Sequence, residues 1–297
     1  MNNYTIILAH GIARFDYLSQ QFLKNFDIFG LATGLVNNEL HYFKGIGRHL
    51  RNHGFNIFQS SVNFAGNLEE RANDLKAEVE TALALRPEQS KVHIIGHSMG
   101  GLDARFMIAK LGMAEKVSSL TTIGTPHFGT SFADWGIANE GDELIESLDK
   151  VIDLKGFADL TTEAATNFNQ SVEAFETIND VFYQTYSAHE QKSKIFAPLK
   201  PAWQIIFDRE GDNDGLVPVS SQRWKSKLSD ENGNVKPIQQ FDFPVSADHL
   251  NEVGWWDTNQ IEFSELLHTD LITGIIKYEN KIKDVYLEIA RNMRQLT

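Results

Sequence analysis

Val92-His93-Ile94-Ile95-Gly96-His97-Ser98-Met99-Gly100-Gly101 decides how this chain is read. Val92, Ile94 and Ile95 lead straight into Gly-His-Ser-Met-Gly, and an amphipathic run follows. In that run Leu102, Phe106, Ala109 and Leu111 fall roughly on one helical face, with Asp103, Arg105 and Lys110 elsewhere. The pattern predicts a buried strand, a sharp turn and a helix. A G-x-S-x-G turn in that setting is a nucleophile elbow, in which a strained backbone lifts the serine hydroxyl above the sheet. Glycines two before and two after the serine let strand and helix approach without a Cβ clash. The bare pattern arises by chance in roughly one chain in ten of this length, so the flanking strand and helix carry the reading.

Composition bounds the rest. A chain of 297 residues accommodates one large α/β domain with an insertion, or two modest domains. An apolar fraction of 42% with 20 Phe and 5 Trp supplies a substantial core. A formal charge of −13 argues against nucleic acid as a partner, and against anionic membranes approached through charge. The absence of cysteine excludes disulfides, thiol catalysis and Cys-based metal sites. No run reaches transmembrane length, and no positively charged and apolar leader precedes the first strand. The sequence as given therefore reads as cytoplasmic, or as secreted if it begins at a mature N-terminus.

Outward from the elbow, β and α signals alternate. Thr5–Ala9 reads as a buried strand ending on His10-Gly11, where glycine frees the turn. Residues 13–40 are rich in Phe, Leu and Gly without a clean period, and read as core packing first and an acyl-binding surface second. Tyr42 to Arg51 predicts a helix, Phe55 to Val62 a strand, and Asn67 to Leu85 a long helix with Pro87 just beyond it. Val117–Gly124 is a further strand, followed by Thr125-Pro126-His127-Phe128-Gly129. The alternation implies a parallel, doubly wound, right-handed sheet.

Residues 131–180 are helical, acidic and poor in strand signals, and read as a helical cap inserted in a single domain spanning 1–297. Its stripe Leu144, Ile145, Leu148, Val151 and Ile152 fits a fixed cap first and a mobile lid second. Strands return at Val181–Ser187 and Ile238–Phe243, and residues 260–293 close the chain with helices.

Nucleophilic catalysis by serine needs an imidazole to take its proton and a carboxylate to hold that imidazole in one tautomer. Asp214 stands in the polar loop 208–215, which also resembles a calcium loop but lacks the spacing and closing glutamate of an EF-hand. His249 lies in the loop after the last strand, with His189 and His268 as rivals; Asp208 and Asp212 rival Asp214. His10, His97 and His127 come too early in the chain to be the base. Ser98, Asp214, His249 is the order found in α/β-hydrolases.

Five motifs in order resemble those of bacterial true lipases of the Pseudomonas type: Leu8-Ala9-His10-Gly11, Gly96–Gly101, Thr125–Gly129, Asn213–Val217 and His249-Leu250-Asn251-Glu252-Val253. The resemblance spans roughly residues 5–255 and implies an α/β-hydrolase fold, Ser98, Asp214 and His249 as catalytic residues, and the backbone N–H groups of Ile12 and Met99 as oxyanion donors. It also implies hydrolysis of carboxylic esters, acylglycerols or other lipid esters, at a lipid–water interface under a helical lid. A phospholipase or acyltransferase on the same triad, or an idle hydrolase fold used for binding, are the alternatives. Two departures stand out: Ser19 to Leu40 looks inserted, and the stretch from Asp214 to His249 is long for that family. Those lipases hold a structural calcium with a carboxylate ligand two residues after the catalytic histidine, and here that position is Asn251. No second carboxylate ligand matches near Lys194, and Glu252 is expected to point elsewhere. The expectation is therefore no cofactor and no tightly bound calcium, with Asp248 and Asn251 positioning His249.

Overall fold

The computed structural model describes residues 4–12, 42–63, 66–139, 154–255 and 271–293. The apolar, β-branched runs form strands β1 (Thr5–Ala9), β2 (Asn56–Gln59), β3 (Val92–His97), β4 (Val117–Ile123) and β5 (Phe182–Ser187). A hairpin of β6 (Lys227–Ser229) and β7 (Val235–Pro237) follows, and β8 (Gln239–Asp242) rejoins the main sheet. The main sheet has the order β2-β1-β3-β4-β5-β8, and each neighbouring pair is parallel. The hairpin accounts for much of the extra length between Asp214 and His249.

Every residue of β1 and β3 is buried, as parallel strands covered on both faces require. Side-chain alternation splits the core in two. Ile7, Ala9 and Ile94 face the helices α2 (Leu68–Ala84) and α3 (Met99–Lys110), whereas Ile6, Leu8 and Ile95 join Phe43, Leu50, Tyr286 and Ile289 on the other side. Asn67 caps α2: its Oδ1 accepts from Glu70 N at 2.9 Å, and Glu70 Oε2 accepts from Asn67 N at 3.0 Å. The helix predicted from Tyr42 begins later, as α1 (Ile46–Asn52), because Gly45 takes φ 69° and breaks the helical path before it.

Between β4 and β5 the described chain forms α4 (Ser131–Ala138), a 3₁₀ segment (Leu154–Leu160) and α5 (Thr162–Ile178). After β5 come α6 (Lys200–Glu210), which includes the Trp203–Phe207 segment, then the short α7 (Val219–Gln222), and finally α8 (Leu271–Met293). The stripe Leu144–Ile152, the segment Ser19–Leu40 and the whole run 256–270, His268 included, lie outside the described residues. Among the described residues no helix is long and apolar enough to cross a membrane.

The strand order places the functional residues. From β1 the chain pairs first with β2 on one side and later with β3 on the other, so the sheet has a switch point between β1 and β3. A crevice opens there, beyond the carboxyl ends of the strands. His10-Gly11-Ile12 leaves β1 and Ser98 leaves β3 at that point.

Burial of one histidine within β3 has a thermodynamic consequence. His93 Nδ1 bonds Ser119 Oγ at 2.7 Å and its ring meets Tyr4 edge-on at 4.5 Å. Burial lowers its pKa from 6.5 to about 4. The unfolded chain therefore binds a proton at this residue as pH falls below 6.5 while the folded chain does not. This residue alone should lower stability by about 1.4 kcal/mol per pH unit across that window. We predict that His93→Gln makes the stability–pH curve, measured by urea denaturation between pH 6.5 and about 4, shallower by that slope. An unchanged slope would show that His93 is not held neutral.

Candidate active site

Ser98 carries φ 55° and ψ −132°, and it is the single non-glycine residue with positive φ among those described. Such a conformation costs about 1–3 kcal/mol and persists only where its surroundings over-determine it. Ser98 N donates to Ile123 O at 2.9 Å, and Ser98 O accepts from Thr125 Oγ1 at 2.9 Å and Gly101 N at 3.1 Å. The glycines permit the approach: a Cβ at Gly100 would sit 2.4 Å from the Ala9 carbonyl, and one at Gly96 would sit 2.8 Å from the Gly101 backbone. Met99 opens α3, so its N–H has no partner within the helix and lies beside the Ser98 hydroxyl's position.

Asp214 and His249 meet although 35 residues separate them. His249 Nδ1 lies 2.8 Å from Asp214 Oδ2, and His249 N donates to Asp214 O at 2.9 Å. Asp214 Oδ1 accepts from Leu216 N at 2.9 Å and Val217 N at 2.8 Å, and Gln222 Nε2 lies 3.1 Å from Oδ2. These donors surround a fully buried side chain. Ser98 and His249 line one cavity of about 20 Å³ with Ile12, Pro126, Thr130, Phe132, Phe157, Leu160, Leu216 and Val217. That volume holds roughly one water. Phe157 and Leu160 come from the 3₁₀ segment before α5, and a Cβ on its Gly156 would lie 3.3 Å from Met99 Sδ and 3.6 Å from Ile12 Cγ2. This segment thus packs on the side chains of both residues expected to supply oxyanion donors.

The rivals lie elsewhere. His189, Asp208 and Asp212 are exposed. His127 is buried between Thr122 Oγ1 at 2.9 Å and the ring of Trp224, stacked at 4.6 Å. His10 Nδ1 bonds Gly11 O at 2.8 Å. The buried pair Arg71–Asp103 fixes the strand end beside it: Arg71 Nη2 lies 2.6 Å from Asp103 Oδ2 and donates to His10 O at 2.8 Å.

Three site neighbours went unread in the sequence. Tyr42 Oη lies 2.7 Å from His97 Nδ1, and His97 Nε2 lies 2.9 Å from Glu252 Oε2. Glu252 points inward, toward His97 and Asp214. The available signals were slight: a histidine next to the nucleophile, and a glutamate three residues after His249.

The loop bearing His249 is closed by its own hydrogen bonds. Asp248 Oδ1 accepts from Leu250 N at 3.0 Å and Asn251 N at 2.9 Å, and its Oδ2 accepts from Phe196 N at 2.8 Å. Asn251 Oδ1 accepts from Asp248 N at 3.1 Å while its Nδ2 donates to Trp255 O at 2.7 Å. Calcium needs six to eight oxygens with several anionic, and these oxygens are turned to backbone N–H groups instead. The one His/carboxylate cluster close enough to hold a metal among the described residues is His97, His249 and Glu252. Two imidazoles and one carboxylate do not make a calcium site.

A parallel sheet with this elbow at its switch point is the α/β-hydrolase fold, and relatives named triacylglycerol lipases support a hydrolase of the lipase/esterase type. The chain resembles the Staphylococcus hyicus lipase over 99% of its own length and 96% of that chain, with a TM-score of 0.61 and 17% identity, a likeness of fold. In sequence it is 25% identical to triacylglycerol lipase 2 of Saccharomyces cerevisiae over 94% of this chain and 90% of that protein. It is 26% identical to a triacylglycerol lipase of Vibrio cholerae over 96% of this chain and 89% of that protein. Residues 44–195 match the PGAP1-like alpha/beta domain, and the chain belongs to that family. The matched span holds Ser98 and the segment that covers it; Ile12, Asp214 and His249 lie outside it.

Proposed function

We propose that the protein hydrolyses acylglycerols or other lipid esters through an acyl-enzyme on Ser98. The carrying observation is a serine held at φ 55° in a cavity shared with an imidazole that is bonded to a buried carboxylate. In this reading His249 takes the Ser98 proton as Oγ attacks the ester carbonyl, and the backbone N–H groups of Ile12 and Met99 receive the oxyanion. His249 then protonates the leaving alcohol. Water, deprotonated by His249, releases the fatty acid and restores Ser98. Asp214 stays ionised throughout and holds the Nδ1–H tautomer.

Phe132, Phe157, Leu160, Leu216 and Val217 form the apolar part of the wall and suit an acyl chain. The names of the relatives, triacylglycerol lipases, support the same substrate class. In this reading the 3₁₀ segment bearing Phe157 and Leu160 makes way as the ester enters the cavity. On a panel of p-nitrophenyl esters from acetate to palmitate, long chains should be preferred. Ser98→Ala and His249→Ala should each lower kcat by roughly 10³-fold or more, with His189→Ala near wild type. Activity of Ser98→Ala within tenfold of wild type contradicts the proposal, and loss in His268→Ala with His249→Ala active reassigns the base.

The hydrogen-bonded oxygens of Asp248 and Asn251 further support a His249 loop that needs no calcium. Exhaustive EDTA treatment should leave both activity and melting temperature unchanged. A fall in both that added calcium reverses would establish a site formed by other ligands.

A further inference from the structure

Behind the candidate triad two fully buried carboxyl groups face each other. Glu252 lies against Asp214, and neither has solvent access. Like charges so placed do not both ionise; one proton stays with the pair. Hydrogen-bond supply decides which group keeps it. Asp214 has donors at Leu216 N, Val217 N, Gln222 Nε2 and His249 Nδ1. Glu252 Oε2 faces the His97 ring, while its buried Oε1 finds no donor among the described residues. The ionised member is therefore Asp214. Gln222 Nε2 leaves room for a further donor there: its two hydrogens face three acceptors, and the carbonyls of Ala188 and Val217, both at 2.9 Å, are nearer than Asp214 Oδ2 at 3.1 Å.

The direction of the chain beyond Glu252 agrees. The backbone N–H of Gly11 supports the phenol oxygen of Tyr42 and can only donate. Tyr42 must then give its own proton to His97 Nδ1, at 2.7 Å. His97 Nδ1 is thus the acceptor and Nε2 carries the hydrogen, which it gives to Glu252 Oε2 at 2.9 Å. His97 is neutral in this arrangement. A cationic His97 beside an ionised Glu252 would leave the Tyr42 hydroxyl hydrogen without an acceptor in the chain. The ionisable groups facing Glu252 are Asp214, Asp248 and His249 from loops, His97 from β3, Tyr42, and Tyr278 and Tyr286 from α8, of which Tyr286 Oη donates to Glu252 O at 2.9 Å. Among them only His249 turns cationic, when it holds the proton taken from Ser98.

We propose that Glu252 is a neutral carboxylic acid that donates its proton to Asp214 in a hydrogen bond, and that Glu252, His97 and Tyr42 are positioning residues coupling the triad acid to the oxyanion loop at Gly11. The coupling rests on Asp214 acting as the acid of the proposed hydrolase. Burial and the nearby charges of Asp214 and Asp248 both push the Glu252 carboxyl well above the ordinary range. The loop end of the chain is tight: a Cβ at Gly11 would lie 2.7 Å from both Tyr42 Oη and Ser98 Cβ. Tyr42 therefore sets the distance between the Gly11–Ile12 peptide and the nucleophile.

Two readouts test this. At pH 8 Asp103 and Asp248, raised by burial to about 6 and about 7, are ionised. The infrared carbonyl stretch of a protonated carboxylic acid should then persist in the wild type and disappear in Glu252→Gln. In kinetics, Glu252→Leu should lower kcat roughly tenfold to a hundredfold. Glu252→Gln should restore most of that loss, because its amide donates to Asp214 and its oxygen accepts from His97. Its acidic limb of kcat/KM should stay at the wild-type pH, since both residues are neutral. An ionised Glu252 predicts the reverse: no carboxylic acid band, and an acidic limb moved to lower pH in Glu252→Gln as a negative charge beside His249 is lost. Should Glu252→Gln fail to fold, absence of the band from the wild type itself overturns the proposal. Tyr42→Phe should lower kcat with KM unchanged, and an unaltered kcat overturns the coupling to the loop. Ser98→Ala serves as the control: an active Ser98→Ala sinks the hydrolase reading, whereas a shifted limb with Ser98→Ala inactive sinks this inference alone.

Discussion

The strained peptide of Ser98 is the constraint on which the rest depends. A serine at φ 55° has to be held from all sides. β4 holds it through Ile123 O and the residue just beyond, Thr125. The close packing of α3 on the end of β1 holds it from the other side, through the contact of Gly100 with Ala9. Those neighbours are available only because β1, β3 and β4 lie side by side and parallel. The sheet order is therefore part of the site as much as the serine is. The buried Arg71–Asp103 pair extends the same logic, tying α2 and α3 to the carbonyl of His10 at the end of β1. Removing one partner of such a pair would leave an uncompensated buried charge.

A second constraint is charge under the site. Asp214, Asp248 and Glu252 are all fully buried within a short stretch of space. Burial of several carboxyl groups is tolerable only if each is supplied with donors or keeps its proton. Backbone N–H groups serve Asp214 and Asp248. Through these bonds Asp248 ties the His249 loop to Phe196. Neutral histidines complete the arrangement: burial holds His10 down to about 4 and His97 well below its ordinary value.

Much of the fold was legible because its signals are local. The strands Thr5–Ala9, Val92–His97 and Val117–Ile123 and the helix Leu68–Ala84 follow from short apolar periods and one capping box. The boundaries that moved did so for local reasons, as at Gly45. Ser98, Asp214 and His249 were legible as types in an order, and the structure brings the latter two into hydrogen-bond contact. The partnership of His97 with Glu252 was not, because 155 residues separate them and neither lies in a periodic pattern. Likewise no sequence signal pairs Tyr42 with His97, since their contact depends on β1 and β3 being adjacent. The β6–β7 hairpin was hidden by its polar, mostly exposed strands.

Phe157 and Leu160 line the cavity that holds Ser98, and on the proposed function access joins chemistry in setting the rate. Reactivity of the serine itself can be separated from access with a small electrophile. A short-chain p-nitrophenyl phosphonate, which phosphonylates an activated serine and then stays bound, provides the most direct test of the central claim. Peptide mass spectrometry should find one phosphonyl group per chain, on Ser98, formed at the rate at which p-nitrophenol appears. Absence of label, or label confined to another serine, would contradict the account.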